Sequence, residues 1–335
     1  MERDVTDAAT KSRVTSADVA RRANVSRATV SYVLNDKPGH GIPTATQEAV
    51  LRAARELGYR PNLAARQLAG GAGSILVLIP AIRTSDQLTA LASHLTQELA
   101  ARDLLMSVAF DVEHAPALAD IARATGASTV AVMRSLTQEE QSELDALGAT
   151  VVTGGGGFSQ VNETVGERQI EHLWEYGHRR IAYASTGEPG LDSFVAMRRR
   201  GVVAAAAQRG VDVSAESFAP DGSDAASIVL RWREEGITGV AAYNDDVAMR
   251  VLHGIRSAGL RCPGDLAVIG VDDIPSAQVS DPPLSTVKLS PEHFARVLAS
   301  DLLAALPRAG RNASPAVDAS APSDALQVIA RESTG

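Results

Sequence analysis

The spacing of apolar positions changes twice along the 335-residue chain. From residue 14 to 60 it is helical. Val19, Ala20 and Ala23 share one face of a first short helix, which Thr15 or Ser16 can cap. Asn24 follows at a turn position, a residue type that tolerates φ > 0, and Val25 points inward. Ser26 caps a second helix, RATVSYVLN, with Val30, Val33 and Leu34 on one side. A third helix starts at Thr44, with Gln47 three residues on in a capping-box pattern. It buries Val50, Ala53, Ala54 and Leu57 and stops at Gly58. Residues 61–71, PNLAARQLAGG, predict barely two turns of helix, a length that is marginal in water on its own.

After Gly73 the pattern becomes an alternation of strands and amphipathic helices. SILVLIP, LLMSVAF, STVAVM and ATVVT form a first series of strands, with helices expected at 86–102, 116–124, 137–147 and 162–176. RRIAYAS, ESFAP, TGVAAY and LAVIGV form a second, with helices at 192–209, 224–235 and 245–258. Such alternation implies parallel sheets covered on both faces, and two series imply two lobes. The fold class is therefore α/β, a helical head on a two-lobed body with parallel sheets.

Composition adds limits. The single cysteine, Cys262, permits no intrachain disulfide and fits a reducing, cytoplasmic setting. The opening MERDVTDAATKSR has no apolar core of a signal peptide. Apolar runs such as Ile75–Ile79 fall far short of the roughly 20 residues of a membrane span, so no membrane partner is expected. Net charge is −8, but residues 11–70 carry ten Lys/Arg against four acids, leaving −14 on the rest. A basic head on an acidic body suggests a polyanion-binding module; the alternative is an ordinary solvated helical face.

The head reads as a helix-turn-helix with a supporting helix, a motif whose second helix enters the major groove by its N-terminal end. Arg27, Ala28, Thr29, Ser31 and Tyr32 lie on the outer face of that helix. Arg27 can bond guanine bidentately, while Ala28 and the Thr29 methyl can touch a thymine methyl. Ser26, Ser31 and Asn35 are short polar groups suited to phosphate oxygens. A small helical bundle with a capped surface helix is the competing reading.

The body lacks both common phosphate-loop motifs and any Cys/His spacing suited to zinc, so neither cofactor nor metal is expected. GGGGF at 154–158 has a cradle-like composition without a basic or hydroxyl partner, and reads as a flexible loop. Polar groups do stand at strand ends: Asn244 and Asp245 in AYNDD, Asp272 and Asp273 in GVDD, and Arg198 in MRRRG nearby. In open α/β sheets ligands bind outside the carboxyl ends of strands. Asn244 could equally cap the following helix. An enzyme reading would pair Asp245 with Asp272 as acid and base, but nothing supplies a nucleophile or oxyanion donor, so no catalytic residue is assigned.

VTSADVARRANVSRATVSYVLN followed by ELGYRPNLAARQLAGG resembles the N-terminal headpiece of the LacI/GalR family of bacterial repressors. EHLWEYGHRRIAYAS, MRRRG, AYNDDVAMRVLHGIRSAGLRCPGDLAVIGVDDIP, PPLSTVK and ARESTG are similar to that family's effector-binding core, which resembles periplasmic sugar-binding proteins (type I). The resemblance implies a helix-turn-helix domain at 14–60, a hinge helix at 61–71, and an effector-binding and dimerisation core at 74–335. Its near lobe would span about 74–176 plus 289–308, and its far lobe about 177–286 plus 310–335. Thr15, Ser26, Ser31 and Asn35 match phosphate contacts, Arg27 and Ala28 the positions that select the operator, and Arg198, Asn244 and Asp272 the positions that hold ligand. Asn62, Ala65 and Leu68 fall in the hinge, where Leu68 matches the residue that wedges into the minor groove.

The implied protein is a transcriptional repressor acting as a homodimer on near-palindromic double-stranded DNA and governed by a small-molecule effector, a sugar being one candidate. The ending VIARESTG lacks the leucine heptad of the family's tetramers. Two departures stand out. The loop NDKPGHGIPTAT is slightly longer than usual, and FSQVNETVGERQIEHL places Asn162–Thr164 where the family carries an acidic or polar ligand contact. The near-lobe side of the pocket should therefore be atypical. A regulator that has lost its effector and an enzyme fused to a DNA-binding domain stay open as alternatives.

Overall fold

The computed structural model describes residues 14–34, 41–59, 74–80, 86–102, 104–112, 114–153, 156–188, 190–306 and 325–335. The chain divides into two compact units, residues 1–71 and 72–335.

In the first unit α1 (Ser16–Ala23), α2 (Arg27–Leu34) and α3 (Thr44–Glu56) enclose a small core in which Val19, Val30 and Val50 are fully buried. Thr15 caps α1: the Asp18 carboxylate accepts from its backbone N–H at 2.9 Å and from its hydroxyl at 2.7 Å. Asn24 turns the chain with φ 54°. Helix α3 begins at Thr44 as the spacing predicts, but without the expected capping box. The Gln47 side-chain amide donates instead to the Ile42 carbonyl at 2.9 Å, because Pro43 occupies the cap position and offers no side-chain acceptor.

The second unit holds two sheets. The near lobe runs β1 (Ser74–Pro80), α4 (Asp86–Ala100), β2 (Leu105–Asp111), α5 (Leu118–Thr125), β3 (Ala127–Val132), α6 (Gln138–Ala146) and β4 (Thr150–Thr153). Its strands pair in parallel in the order β2-β1-β3-β4. Both faces are covered, Ile75, Val77 and Ile79 packing to one side and Leu76 and Leu78 to the other, as the period of two along a strand requires.

Next comes α7 (Gly156–Glu175), then the far lobe: β5 (Ile181–Thr186), α8 (Asp192–Ala207), β6 (Val213–Phe218), α9 (Ala225–Glu234), β7 (Gly239–Ala242), α10 (Asp245–Ser257), β8 (Ala267–Val271), α11 (Pro275–Val279) and β9 (Ser285–Leu289). Helix α12 (Pro291–Ala305) returns to the near lobe, packing Ala295, Leu298 and Leu302 into its core, and β10 (Leu326–Ile329) completes the far sheet. That sheet has the order β10-β9-β8-β7-β5-β6, parallel except for β10 against β9. The alternation of the far lobe was legible only as far as β8; the last strands and α12 are not part of the regular strand–helix series.

One expectation about the junction is corrected. Residues 156–158 of the GGGGF run are not loop but the first turn of α7, which begins six residues before the expected start. Phe158 drives this: it is 1 % exposed in the near-lobe core, and its backbone N–H donates to the Asp301 carboxylate of α12 at 3.0 Å. A Cβ on Gly157 would lie 2.9 Å from the Val297 side chain, so glycine lets the helix start press onto α12. Asn162, one of the three residues standing where the family carries a polar ligand contact, is fully buried inside the α7–α8 packing. Helix α7 thus serves both lobes, with Phe158 in the near core and Val161, Val165, Ile170 and Leu173 in the far core.

The α7–α8 crossing is unusually close. A Cβ on Gly201 would sit 1.8 Å from the Glu163 carbonyl oxygen, and one on Gly166 would sit 2.3 Å from the Arg198 carbonyl oxygen. No side-chain rotation relieves a clash with backbone. Gly201→Ala should therefore lower stability by at least about 1–3 kcal/mol, even though alanine favours helix. Urea denaturation should show a clear fall in midpoint for Gly201→Ala and almost none for Val203→Ala on the exposed face of α8. Equal midpoints would mean that the two helices can separate at no cost.

Candidate functional site

The headpiece offers one face. Arg27, Ala28 and Ser31 are exposed on α2, with Thr29 and Tyr32 half-buried beside them, and Thr15 and Ser26 exposed at the helix starts. The Ser26 hydroxyl accepts from the Thr29 backbone N–H at 3.0 Å and bonds the Thr29 hydroxyl at 2.9 Å. That cap fixes the first turn of α2 and leaves the Thr29 methyl as the group it can offer. Arg21 is held by Asp18 at 3.1 Å and Arg22 by Glu56 at 2.6 Å. Arg27 enters no ion pair among the described residues, so its guanidinium is uncommitted at the leading end of α2. Asn35, Asn62, Ala65 and Leu68 lie outside the described residues.

The body has a cleft between its lobes, with a cavity of about 360 Å³. Arg198, Asn244 and Asp272, distant in sequence, meet on its far-lobe wall. Arg198 projects from α8 and is 7 % exposed. Its Nη1 donates to the Tyr243 carbonyl at 2.7 Å, its Nε to Asn162 Oδ1 at 3.3 Å, and its Nη2 lies 3.6 Å from Asp272 Oδ1. Asn162 in turn donates through Nδ2 to the Phe158 carbonyl at 3.0 Å. Asn244 caps α10 through Oδ1, which accepts from the Val247 N–H at 2.9 Å, leaving Nδ2 to face the cleft. The capping and ligand-facing readings of Asn244 are thus compatible.

Asp272 leaves β8 with φ 105° and Asp273 follows with φ 52°, conformations an L-residue holds only when its surroundings enforce them. Here Asp272 N–H donates to the Val287 carbonyl at 2.9 Å, while the Asp273 carboxylate lies 2.6 Å from Arg331 and 3.3 Å from Lys288. Burial raises the Asp272 carboxyl above the ordinary aspartate range, against the pull of Arg198. The turn therefore aims one carboxylate at the cleft and ties the next one back.

Asp245, the other half of the acid–base pair weighed from the sequence, is placed differently. It is 1 % exposed, and its two oxygens accept from the Thr286 hydroxyl at 2.7 Å and the Ile274 N–H at 3.0 Å. It joins α10 to the β8–β9 region. Spacing did not reveal the Arg250–Glu188 pair, 2.5 Å apart on the cleft wall, nor the apolar wall opposite, which includes Ile79, Leu91, Met133, Phe194 and Phe294. These residues are separated by up to 215 positions, and no local pattern links them. Among the described residues no cluster of His, Cys, Asp or Glu is arranged to hold a metal, and no helix is long and apolar enough to cross a membrane.

Residues 15–62 match the family described as bacterial regulatory proteins, lacI family, and residues 170–334 match the periplasmic binding protein-like domain. The chain is 31 % identical over 303 residues to the HTH-type transcriptional regulator GalS of Salmonella typhimurium, covering 85 % of this chain and 87 % of that one. The chain belongs to the LacI family of bacterial transcriptional regulators. Another member, CelR of Thermobifida fusca, is 29 % identical over 316 residues, covering 84 % of this chain and 88 % of CelR. Among LacI-family structures, a CelR–cellobiose complex aligns with TM-score 0.61 at 25 % identity over 96 % of this chain and all of that one. The Lac repressor dimer bound to operator and the anti-inducer ONPF shares the fold with TM-score 0.66 at 22 % identity, over 96 % and 99 % of the two chains.

The buried carboxyl of Asp245 has a consequence for stability. Burial first, and the neighbouring Asp272 second, push it up to about 7 from an ordinary 3.8. A native value above the unfolded one means that the folded protein holds the extra proton between those limits, so this group's contribution falls as pH rises from about 4 to about 7. A carboxyl whose native pKa lies one pH unit above its unfolded pKa contributes about 1.4 kcal/mol in this way. Asp245→Asn can keep both contacts, its Oδ1 accepting from the Ile274 N–H and its amide donating to the Thr286 hydroxyl oxygen. Because the variant does not titrate, the stability gap between it and wild type should shift in the variant's favour from pH 5 to pH 8 in urea-midpoint measurements. A gap independent of pH would remove Asp245 as the titrating group.

Proposed function

We propose that the chain is a repressor that reads a near-palindromic operator as a homodimer and changes its operator affinity when a small molecule enters the interlobe cleft. The carrying observation is the combination in one chain of an uncommitted Arg27 at the leading end of α2 and a cleft lined by Arg198, Asn244 and Asp272. Arg27 and Ala28, with Thr29 and Tyr32 beside them, face the bases. Thr15, Ser26, Ser31 and Asn35 face phosphates and set the register. The effector's hydroxyls bond the three cleft residues, as those of a sugar could, in line with the cellobiose named for the CelR complex. Closure of the two lobes on a ligand then alters the geometry with which the paired cores hold their headpieces.

The hinge completes this scheme. By the family resemblance, residues 61–71 would act as a hinge on the operator, with Asn62, Ala65 and Leu68 as its minor-groove residues and Leu68 as the wedge. A helix too short to persist alone gives the core a low-cost element to permit or forbid. The protein acts in the cytoplasm as a regulator rather than as an enzyme, in keeping with relatives that are transcriptional regulators.

Selection of bound sequences from random DNA by the full-length protein should return a near-palindrome. Against that site, Arg27→Ala should cost about 1–3 kcal/mol and relax preference at one position per half-site. An equal loss on random DNA would reduce Arg27 to a phosphate contact. Leu68→Ala should weaken binding to the selected site and reduce the DNA bend while leaving the salt-dependent non-specific component unchanged. Unaltered affinity and bend would make residues 61–71 a plain linker.

A further inference from the structure

Asp245 directly follows Asn244 at the start of α10, is 1 % exposed, and enters no ion pair among the described residues. A carboxyl so buried has to be matched by hydrogen bonds. Its seat is built for it. A Cβ on Gly270 of β8 would lie 2.1 Å from Asp245 Oδ1, so glycine leaves the room that the carboxyl occupies. Oδ1 accepts from the Thr286 hydroxyl at 2.7 Å and Oδ2 from the Ile274 backbone N–H at 3.0 Å. The Thr286 oxygen in turn accepts from the Asp273 backbone N–H at 3.3 Å.

Both branches end on the turn that leaves β8. Asp272 and Asp273 stand there at φ 105° and 52°, and a residue with a side chain relaxes from such angles unless its surroundings enforce them. Three successive backbone N–H groups are held. That of Asp272 donates to the Val287 carbonyl at 2.9 Å, that of Asp273 to Thr286, and that of Ile274 to Asp245. Two of the three therefore depend on one buried carboxyl, the second through a hydroxyl that the carboxyl orients. Arg331 grips the same turn from the other side, 2.6 Å from the Asp273 carboxylate. The strand ends that carry Asn244 and Asp272 are separate in sequence, and Asp245 is the side chain that ties one to the other.

We propose that Asp245 is a positioning residue of the effector site, holding the turn in the conformation that aims the Asp272 carboxylate at the cleft and fixing its spacing from Asn244. The inference rests on the reading of Asp272 as an effector contact. It gives the adjacent aspartates of AYNDD and GVDD unlike tasks: Asp272 meets the ligand, and Asp245 and Asp273 hold Asp272 in place.

Urea-midpoint cycles on the full-length protein at pH 5, where Asp245 holds its proton, test this without any ligand. Asp245→Ala should lower the midpoint in wild type and equally in Asp272→Asn, which keeps a side chain at the positive φ. In Asp272→Gly, where that φ is unstrained, the fall should be at most about half as large. Asp245→Asn, which can keep both contacts, should retain most of the wild-type midpoint. Thr286→Val supplies the same comparison if Asp245→Ala does not fold. In crystals of the variants, Asp272 Oδ1 should leave its 3.6 Å approach to Arg198 in Asp245→Ala or Thr286→Val and keep it in Asp245→Asn. Equal falls in all three backgrounds, or an unmoved Asp272, would reduce Asp245 to a buried packing group. The assignment of the cleft is judged separately, by whether Asp272→Gly abolishes a small-molecule effect on operator binding; the cycles stand or fall without it.

Discussion

A guanidinium buried between two lobes constrains much of this molecule. Arg198 has left water, so each of its faces needs a partner, and the partners come from distant parts of the chain: Asn162 on α7, the Tyr243 carbonyl at the end of β7, and Asp272 at the end of β8. Losing Asp272 would leave the guanidinium charge uncompensated in a poorly solvated place, a larger penalty than losing a surface ion pair, and losing Asn162 would leave a buried guanidinium N–H without its acceptor. The close α7–α8 crossing at Gly166 and Gly201 is what brings Asn162 within reach, since a side chain at either glycine would hold the helices apart. Backbone packing is in this way a precondition of the polar site.

The same arrangement joins the lobes. Asn162 connects Arg198 to the Phe158 carbonyl, and Phe158 sits in the near-lobe core with its N–H on Asp301 of α12. A ligand that engages Arg198 therefore acts on a helix whose first turn belongs to one lobe and whose remainder belongs to the other. Differential contacts of this kind are what a ligand needs in order to favour one lobe arrangement over another. The strained turn at Asp272 and Asp273 serves the same site: one carboxylate faces the cleft, and the other is anchored to Arg331 and Lys288 near the end of the chain.

The headpiece works by the opposite economy. Its core is small, a few valines and alanines, and its order depends on caps: Thr15 with Asp18, Ser26 with Thr29, and Asn24 at positive φ. Among the described residues ion pairs hold Arg21 and Arg22 but not Arg27, which stands exposed on the outer face of α2. These features are local, and for that reason the sequence carried them.

The sequence by itself determined the three headpiece helices, the turn at Asn24 and the alternation that makes the parallel sheets through β8. Each depends on neighbours within a few positions or on a motif of fixed spacing. Only the tertiary structure decided the rest, including that Arg198, Asn244 and Asp272 share one wall of the cleft. Gly156 and Gly157 start a helix because Phe158 finds a core supplied by α8 and α12, beyond the reach of any local propensity. Asn162 turned out to hold Arg198 from within, since its burial follows from two glycines, four and thirty-nine residues away. Gln47 abandoned its capping box for the Ile42 carbonyl because Pro43 occupies the cap position. The apolar wall of the cleft is assembled from β1, the residue after β3 and three helices, and side chains that meet only after folding leave no periodic trace along the chain.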